Sequence, residues 1–146
     1  MRAALRRWRR TESGAELIEL ALVIPILFMV CAAIIDFGLL FRSWETVTNA
    51  AREGARVGSL PSYQDADVIA RVDLYMAAAG LPPPVTTVSN QVIVTGAGTM
   101  TVRAVRVSMT HDFFILRGFQ AFFGPGLGTV DIAARAVMRT ETQAAP

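Results

Sequence analysis

An apolar run that begins at Leu20 limits what this chain can fold into more than any other feature. Residues 20–35 carry no charged side chain, and an extension to residue 41 adds only Asp36. As an α-helix, these twenty-two residues would span roughly 33 Å, close to the ~30 Å hydrocarbon core of a bilayer. We therefore predict one membrane-spanning helix over about residues 20–41, with Trp44 as an anchor at the membrane surface.

The arginines around this run predict its orientation. Five arginines precede it within the first ten residues, whereas three follow it within about 20 residues, the distance over which such charges orient a helix. This excess favours a cytoplasmic N-terminus and an external C-terminal part. The preceding set is Arg2, Arg6, Arg7, Arg9 and Arg10, and the following set is Arg42, Arg52 and Arg56.

The composition agrees with one membrane segment and one small domain. The chain has 146 residues, of which 53% are hydrophobic, and its mean hydropathy is +0.43, a high value for a soluble protein. Its net charge is only +2, and the densest positive charge precedes the apolar run, while the arginines after the run are nearly balanced by acidic residues. Nucleic-acid binding is therefore not expected.

Two acidic residues and a proline distinguish the apolar run from a helix that serves only as a membrane anchor. Glu19 stands at its start and Asp36 near its end, and a carboxylate in hydrocarbon is costly unless it has a partner. No basic residue lies three or four positions from Asp36, so it either reaches headgroup water or pairs with another subunit, for example with Arg42 of a neighbour. Pro25 removes a backbone hydrogen bond, which predicts a kink or local unwinding near Ala21.

The helix is expected to continue past the membrane to Gly58. Small residues recur every four positions at Thr46, Ala50, Gly54 and Gly58, which gives a smooth stripe that another backbone or a sheet can approach closely. Glu53 and Arg56 are spaced to form an ion pair on the outer side of the helix. The sequence from Gly58 to Pro61 then ends the helix.

The remainder predicts a second helix followed by three strands. A capping pattern from Ser62 to Asp65 and apolar residues at helical spacing predict a helix ending near residue 79, with Gly80 as its C-terminal cap. Its expected core face is Val68, Ile69, Val72, Tyr75, Met76 and Ala79. Alternating residues over 85–95, 99–109 and 129–140 predict strands, the first two joined as a hairpin at residues 96–98.

These elements predict an α+β fold. A long N-terminal transmembrane helix would continue into a small domain with one further helix and a three-stranded antiparallel sheet. Between the last two strands, residues 113–123 contain five phenylalanines, and we call them the aromatic segment. It could form a short helix that covers the core or an exposed contact patch, and the sequence favours the cover.

Catalytic and metal-binding patterns are not found in the sequence. His111 is the only histidine, and Asp112 beside it in a strand would point to the opposite face. Cys31 is the only cysteine and lies inside the apolar run, so it cannot form an intrachain disulfide. We expect no enzyme activity, cofactor, metal or small-molecule substrate.

Three sequence pieces resemble one known family. They are residues 14–25 (GAELIELALVIP), residues 34–38 (IIDFG) and residues 49–56 (NAAREGAR), of which the third is the most specific. Together they make residues 14–56 resemble the TadE-like family, pilin-like proteins of the tight-adherence (Tad) pilus machinery. The pattern Arg139-Thr-Glu141 near the C-terminus is similar to the end of the family as well.

The resemblance implies processing and assembly. Residues 1–14 would be a cytoplasmic leader removed by a prepilin peptidase between Gly14 and Ala15, residues 15–58 the long helix, and residues 59–146 a periplasmic or extracellular domain. Glu19 would then accept the new amino group of Ala15 from an adjacent subunit, which sets the register of assembly. The candidate intersubunit contacts are Asp36, Arg42, Asn49, Arg52, Glu53 and Arg56, and Pro25 is the candidate kink.

The implied function is that of a minor pilin or pseudopilin in a bacterial adhesion pilus or secretion system. Its partners would be the peptidase, the major and minor pilins and the assembly platform in the inner membrane, and it could enter a surface pilus after processing. The alternative is an uncleaved, single-pass adaptor anchored in the inner membrane. An adaptor of this kind would keep its arginine-rich leader.

Overall fold

One long helix dominates the molecule. The computed structural model describes residues 2–96, 98–124, 126 and 128–140, with side chains from Gly14 onward except at Thr95, Phe122 and Phe123. Helix α1 (Arg2–Gly58) runs for 57 residues, about 85 Å, so it is far longer than a membrane is thick. The helix includes residues 2–14, which the resemblance predicted to be a separate leader, because the Ala, Leu and Arg residues there are good helix formers.

Helix α1 continues without interruption through Pro25. Residues on both sides of the proline, including Ala21, are helical, so the local unwinding expected there is not present. A proline removes a single hydrogen bond, and the surrounding turns of a long helix can hold the helical conformation across it. The kink itself stays a prediction.

Helix α2 (Asp65–Ala78) follows a short connection and packs against α1. Its N-cap residue is Gln64, whose backbone N–H donates to the Asp67 carboxylate at 2.9 Å. The cap therefore involves Gln64 and Asp67 and not the predicted Ser62 and Asp65. The helix ends at Ala78, close to the predicted end near residue 79, and the predicted Gly80 follows with a φ of 73°, which suits a residue without a side chain. The backbone N–H of Gly80 donates to Ala77, and that of Leu81 to Met76.

The buried face of α2 is narrower than the sequence predicted. Val68, Val72 and Met76 are fully buried, but Ile69 and Tyr75 are exposed. The prediction of a wider face was wrong because α2 is covered on one side only, by α1 and the sheet, and three residues at i, i+4 and i+8 suffice to fill that contact.

Three antiparallel strands form the sheet in the order β1-β2-β3. They are β1 (Val85–Thr95), β2 (Gly98–Asp112) and β3 (Thr129–Arg139). The hairpin register pairs Val85 with Ser108, and the second pairing sets Asp112 opposite Thr129. The predicted bounds are confirmed for β1 and close for β3, whereas β2 extends three residues beyond the expected end because β3 continues to pair with it.

Both helices lie on one face of the sheet, where the core forms. Val105, Val107 and Met109 of β2 point to this face together with alternate residues of β3, as the alternation predicted. From α1 the core takes Val47, Ala50, Ala51, Ala55 and Val57, and from α2 it takes Val68, Val72 and Met76. The opposite face carries arginines, and Arg135 donates to the Gln91 side chain at 2.5 Å across the strand between them.

The aromatic segment leaves the sheet between β2 and β3. It contains a 3₁₀ turn (Leu116–Phe119) and a single helical turn, α3 (Gln120–Phe123), as the short-helix prediction indicated. Leu116 is buried while Phe114 is 82% exposed, so the segment combines the two expected roles of core cover and exposed patch. The side chains of Phe122 and Phe123 lie outside the described residues, as does Glu141 of the C-terminal pattern.

Candidate assembly site along the long helix

The first half of α1 is bare. From Leu17 to Phe41 its large apolar side chains are mostly exposed, and the most apolar 18-residue window of the helix, with a mean hydropathy of 2.8, is only 6% buried within the chain. Since water would be an unfavourable environment for so large an apolar surface, lipid or other helices must cover it. By length and composition, this helix can cross a membrane.

The predicted cleavage point lies at the beginning of this bare part. Ala15 is exposed, and a side chain added at Gly14 would meet no atom within 4 Å. The peptide bond between them is accessible but helical. A peptidase that binds an extended chain would first have to unwind this turn. Glycine lowers the free-energy cost of unwinding by about 1 kcal/mol relative to alanine.

Glu19 is exposed one turn further on. Its neighbours Ile18 and Leu20 are 67% and 53% exposed, so the carboxylate lies in an apolar surface. Within the described part of the chain, no group forms a hydrogen bond or an ion pair with it. A cation supplied by another molecule could therefore reach it.

Asp36 has a different environment from the one predicted. Its side chain is 1% exposed, and its carboxylate accepts backbone N–H groups from three consecutive residues of the aromatic segment. Oδ1 accepts from Phe114 at 3.2 Å and from Ile115 at 3.2 Å, while Oδ2 accepts from Ile115 at 3.0 Å and from Leu116 at 2.7 Å. This carboxylate therefore holds the start of the 3₁₀ turn against α1.

This arrangement replaces both alternatives considered from the sequence. Asp36 neither reaches headgroup water nor remains free for Arg42 of another subunit, because its own chain supplies the donors. Backbone N–H groups at the start of a helical turn are unpaired and carry partial positive charge, which suits a buried carboxylate. An aromatic contact supports the same junction, since the rings of Phe37 and Phe113 meet edge to face at 6.0 Å.

The second half of α1 presents polar residues on the side away from the core. Arg42, Asn49 and Arg56 are exposed and follow one another at seven-residue spacing, which places them on one side of the helix, and Arg52 is exposed nearby. The candidate contacts Arg42, Asn49 and Arg52 are therefore accessible to another molecule. Whether a subunit binds them stays a prediction.

Glu53 pairs within the chain. The predicted pair with Arg56 is confirmed, with an Nη2–Oε1 distance of 2.8 Å, and Arg71 of α2 adds a second contact at 2.9 Å. The hydrogen bond from Arg56 and, after it, that from Arg71 lower the pKa of the Glu53 carboxyl from its ordinary 4.5 to about 2. Because α2 packs here, this part of α1 belongs to the folded domain and lies outside the exposed apolar part of the helix.

The small residues of the third sequence piece have a packing role. A Cβ atom at Gly54 would lie 2.7 Å from Cγ2 of Val72 and 3.2 Å from Cγ1 of Val105. At Gly58 it would lie 3.0 Å from Cδ of Arg103, whose guanidinium donates to the Gly58 carbonyl at 3.2 Å. The predicted close approach along the small stripe is thus confirmed, and both α2 and the sheet make it.

The two hydroxyl groups near His111 are not arranged as nucleophiles. His111 lines a cavity of about 180 Å³ together with Ser43 and Thr46 of α1. Both hydroxyls donate to backbone carbonyls one turn earlier in the helix, to Leu39 at 3.1 Å and to Arg42 at 2.9 Å. Among the described residues, no group of three or more His, Cys, Asp or Glu side chains is placed to hold a metal ion.

A comparison with known protein families matches part of α1. The matched part includes the exposed apolar residues, Glu19 and most of the stripe of small residues that packs against the domain. Residues 14–56 match the family model of TadE-like protein. The TadE-like match begins at Gly14, ends at Arg56 and confirms the resemblance predicted from the three sequence pieces. No curated protein and no solved structure gives a significant match.

Sequence reasoning missed the distant partners of two acidic residues on α1, Asp36 and Glu53. Asp36 was recognised as unusual, but its partners lie 78 to 80 residues further along the chain, where no local pattern could reveal them. The contact of Arg71 with Glu53 was missed for the same reason. The sequence indicated only that Asp36 needs a distant partner, because no basic residue lies three or four positions from it on its own helix.

Proposed function

We propose that this chain is a structural minor pilin or pseudopilin of a Tad-type pilus or secretion assembly. The observation that carries the proposal is the bare apolar half of α1, which begins near Gly14, the first residue of the TadE-like match. A helix of this kind can reside in a membrane before assembly and pack against sibling helices afterwards. The domain built on its second half would then remain outside the membrane.

The proposal includes removal of residues 1–14 in the membrane stage. A prepilin peptidase acting from the cytoplasmic side would cut between Gly14 and Ala15, and the free amino group of Ala15 would become a cation at the end of the apolar surface. Exposed Glu19 supports this step, because its carboxylate lies one turn away on the same bare helix and is accessible to an amine from an adjacent subunit. Major and minor pilins and the assembly platform are the proposed partners.

The experiment that tests this proposal is an intact-mass measurement on the chain purified from cells with and without a matching prepilin peptidase. We expect a mature protein that begins at Ala15 only where the peptidase is present. Gly14→Val should remain uncut, since a branched side chain would not fit where the enzyme requires none, while Gly38→Val, also on α1, serves as the control and should be processed normally.

The second candidate is an uncleaved adaptor that remains anchored in the inner membrane. The uninterrupted helix from Arg2 favours it, because the leader and the membrane-spanning part are one element and the bond after Gly14 is helical. A chain that still begins at Met1 in cells with an active peptidase would support the adaptor and would contradict the pilin proposal.

A further inference from the structure

We propose that the aromatic segment enters the outer leaflet of the bilayer beside α1, with Phe114 as its inserted side chain. The inference rests on the membrane stage of the proposed function, and it adds a second membrane contact to that of α1. Its occupant is phospholipid, and the argument follows from the depth, exposure and hydrogen bonding of the segment.

The depth follows from the contacts of Asp36. Counted from Leu20, Asp36 lies roughly 24 Å along the helix, so a ~30 Å hydrocarbon core that begins at Leu20 would end near residue 40. The backbone of Phe114 is bonded to Asp36, and the ring of Phe113 contacts Phe37. The beginning of the aromatic segment therefore lies at a level of α1 that is still within the apolar layer.

The hydrogen bonds make this position tolerable. Irregular backbone is excluded from hydrocarbon unless its N–H and C=O groups are satisfied by the protein. Here the N–H groups of Phe114, Ile115 and Leu116 donate to Asp36, and that of Phe113 donates to the Gly128 carbonyl at 3.0 Å. The same contacts satisfy the Asp36 carboxylate and lower the cost of placing it here. The apolar surface of α1 can therefore continue past it to Phe41.

The exposed side chains match an interface between lipid and water. Phe114 is 82% exposed, so the described part of the chain leaves most of its ring without apolar cover, and Phe41 and Trp44 of α1 are 62% and 48% exposed at the adjacent level. Arg42 and Arg117 are exposed close by and can reach lipid phosphates. Aromatic rings with arginines at their edge are typical of the headgroup boundary.

The test uses single cysteines labelled with an environment-sensitive fluorophore in the full-length chain. The native chain offers Cys31 in the middle of the apolar run, where it is exposed and should report the membrane-spanning helix. Cys31→Ala combined with Phe114→Cys reports the aromatic segment. Cys31→Ala combined with Val94→Cys is the matched control, because Val94 is an equally apolar residue, 78% exposed, at the distant hairpin.

Each protein is placed in phosphatidylethanolamine–phosphatidylglycerol vesicles that contain lipids with a nitroxide quencher at a shallow or a deep acyl position. We expect the label at residue 114 to lose fluorescence with the shallow quencher, that at residue 31 with the deep quencher, and that at residue 94 with neither. Because Phe114 is exposed, its replacement should leave the fold intact, which circular dichroism of the same sample verifies.

Three outcomes would overturn the inference. If the label at residue 114 behaved like that at residue 94 while Cys31 was quenched, the segment would lie in water and the membrane stage of α1 would stand. If Cys31 was not quenched either, the membrane stage itself would fail. If the label at residue 114 changed only at high protein-to-lipid ratio and without quenching, a second subunit would occupy the surface instead of lipid.

Discussion

At the scale of single residues, the most informative side chain is Asp36, which is buried where the exposed part of α1 meets the domain. The carboxylate of Asp36 binds three backbone N–H groups and is almost completely buried. A buried anion is tolerated when its hydrogen-bonding capacity is used, and removal of its partner groups is strongly unfavourable. Asp36 therefore fixes the aromatic segment to α1 and gives the domain a defined position on the helix.

We expect Asp36→Ala to release the aromatic segment, because three N–H groups, that of Leu116 buried and the other two partly buried, would lose their acceptor. The loss costs about 1–3 kcal/mol for a group that is buried and unsatisfied. Asp36→Asn should have a smaller effect, since one oxygen can still accept while the amide nitrogen cannot. Hydrogen exchange at residues 114–116 in detergent measures the release. Asp112→Asn, which changes an exposed carboxylate near the same segment, is the control. Unchanged protection in Asp36→Ala would contradict the assigned role.

The ion pairs of Glu53 give a prediction about pH. The pKa of Glu53 is about 2 in the folded chain against an ordinary 4.5, so its pairs contribute stability that is complete above about pH 4.5 and is lost as the pH falls through about 2. We expect Glu53→Gln to lower the unfolding free energy by about 1 kcal/mol at pH 7. The difference in thermal midpoint between the two proteins should shrink as the pH falls toward 2 and vanish below it, and a difference that persisted there would show a packing effect instead.

At the scale of elements, the second half of α1 serves as the surface on which the domain is built. Both α2 and the sheet pack on its small-residue side, and Ala50, Gly54 and Ala55 allow the close approach. Long side chains at these positions would hold the sheet away from the helix. The piece of sequence most specific to the resemblance, residues 49–56, is thus explained by packing along one side and by exposed polar groups along the other.

We expect Gly54→Ala to destabilise the domain by about 1–3 kcal/mol, because the added Cβ would overlap the branched side chain of Val72. Gly38→Ala is the matched control on the same helix, since a Cβ there meets no atom within 4 Å. It should be neutral or slightly stabilising, as alanine favours a helix more than glycine does. Thermal unfolding of both full-length variants in detergent measures the difference, and equal midpoints would contradict the packing argument.

At the scale of the whole molecule, the chain divides into a bare half and a packed half of the same helix. Nearly every apolar side chain before Asp36 is exposed, whereas after Ser43 one side of α1 is covered by its own domain. The exposed half therefore needs an apolar environment outside its own chain. In the proposed function this is a bilayer before assembly and neighbouring helices afterwards, and Glu19 is a charged group in the half that would change environment.

We predict that Glu19→Ala leaves the protein in the membrane and processed after Gly14, yet reduces its recovery in assembled pili or secretion complexes. The loss follows because the amino group of Ala15 from an adjacent subunit would enter an apolar surface without a partner. Glu16→Ala removes an exposed carboxylate one turn earlier and is the control. Immunoblots of membrane and sheared surface fractions measure the distribution. Normal assembly of Glu19→Ala would contradict the role in register.

Much of the fold could be predicted because its signals are local. Apolar length indicated the bare part of α1, alternation indicated the strands, and Gly80 marked the end of α2, each within a few residues of the observed element. The candidate site was predicted only where its residues depend on near neighbours, as in the pair of Glu53 with Arg56. The exposed positions of Glu19 and Arg42 agree with the roles proposed for them but do not by themselves test those roles.

Composition and periodicity alone determined that this chain has a single apolar helix, a small α+β domain after it and acidic groups in unfavourable positions. Only the tertiary structure decided how Asp36 is satisfied, which face of α2 is buried and which side of α1 the domain covers. The physical reason is distance along the chain: the donors to Asp36 and the contact of Arg71 with Glu53 come from segments that meet only after the sheet has packed on the helix.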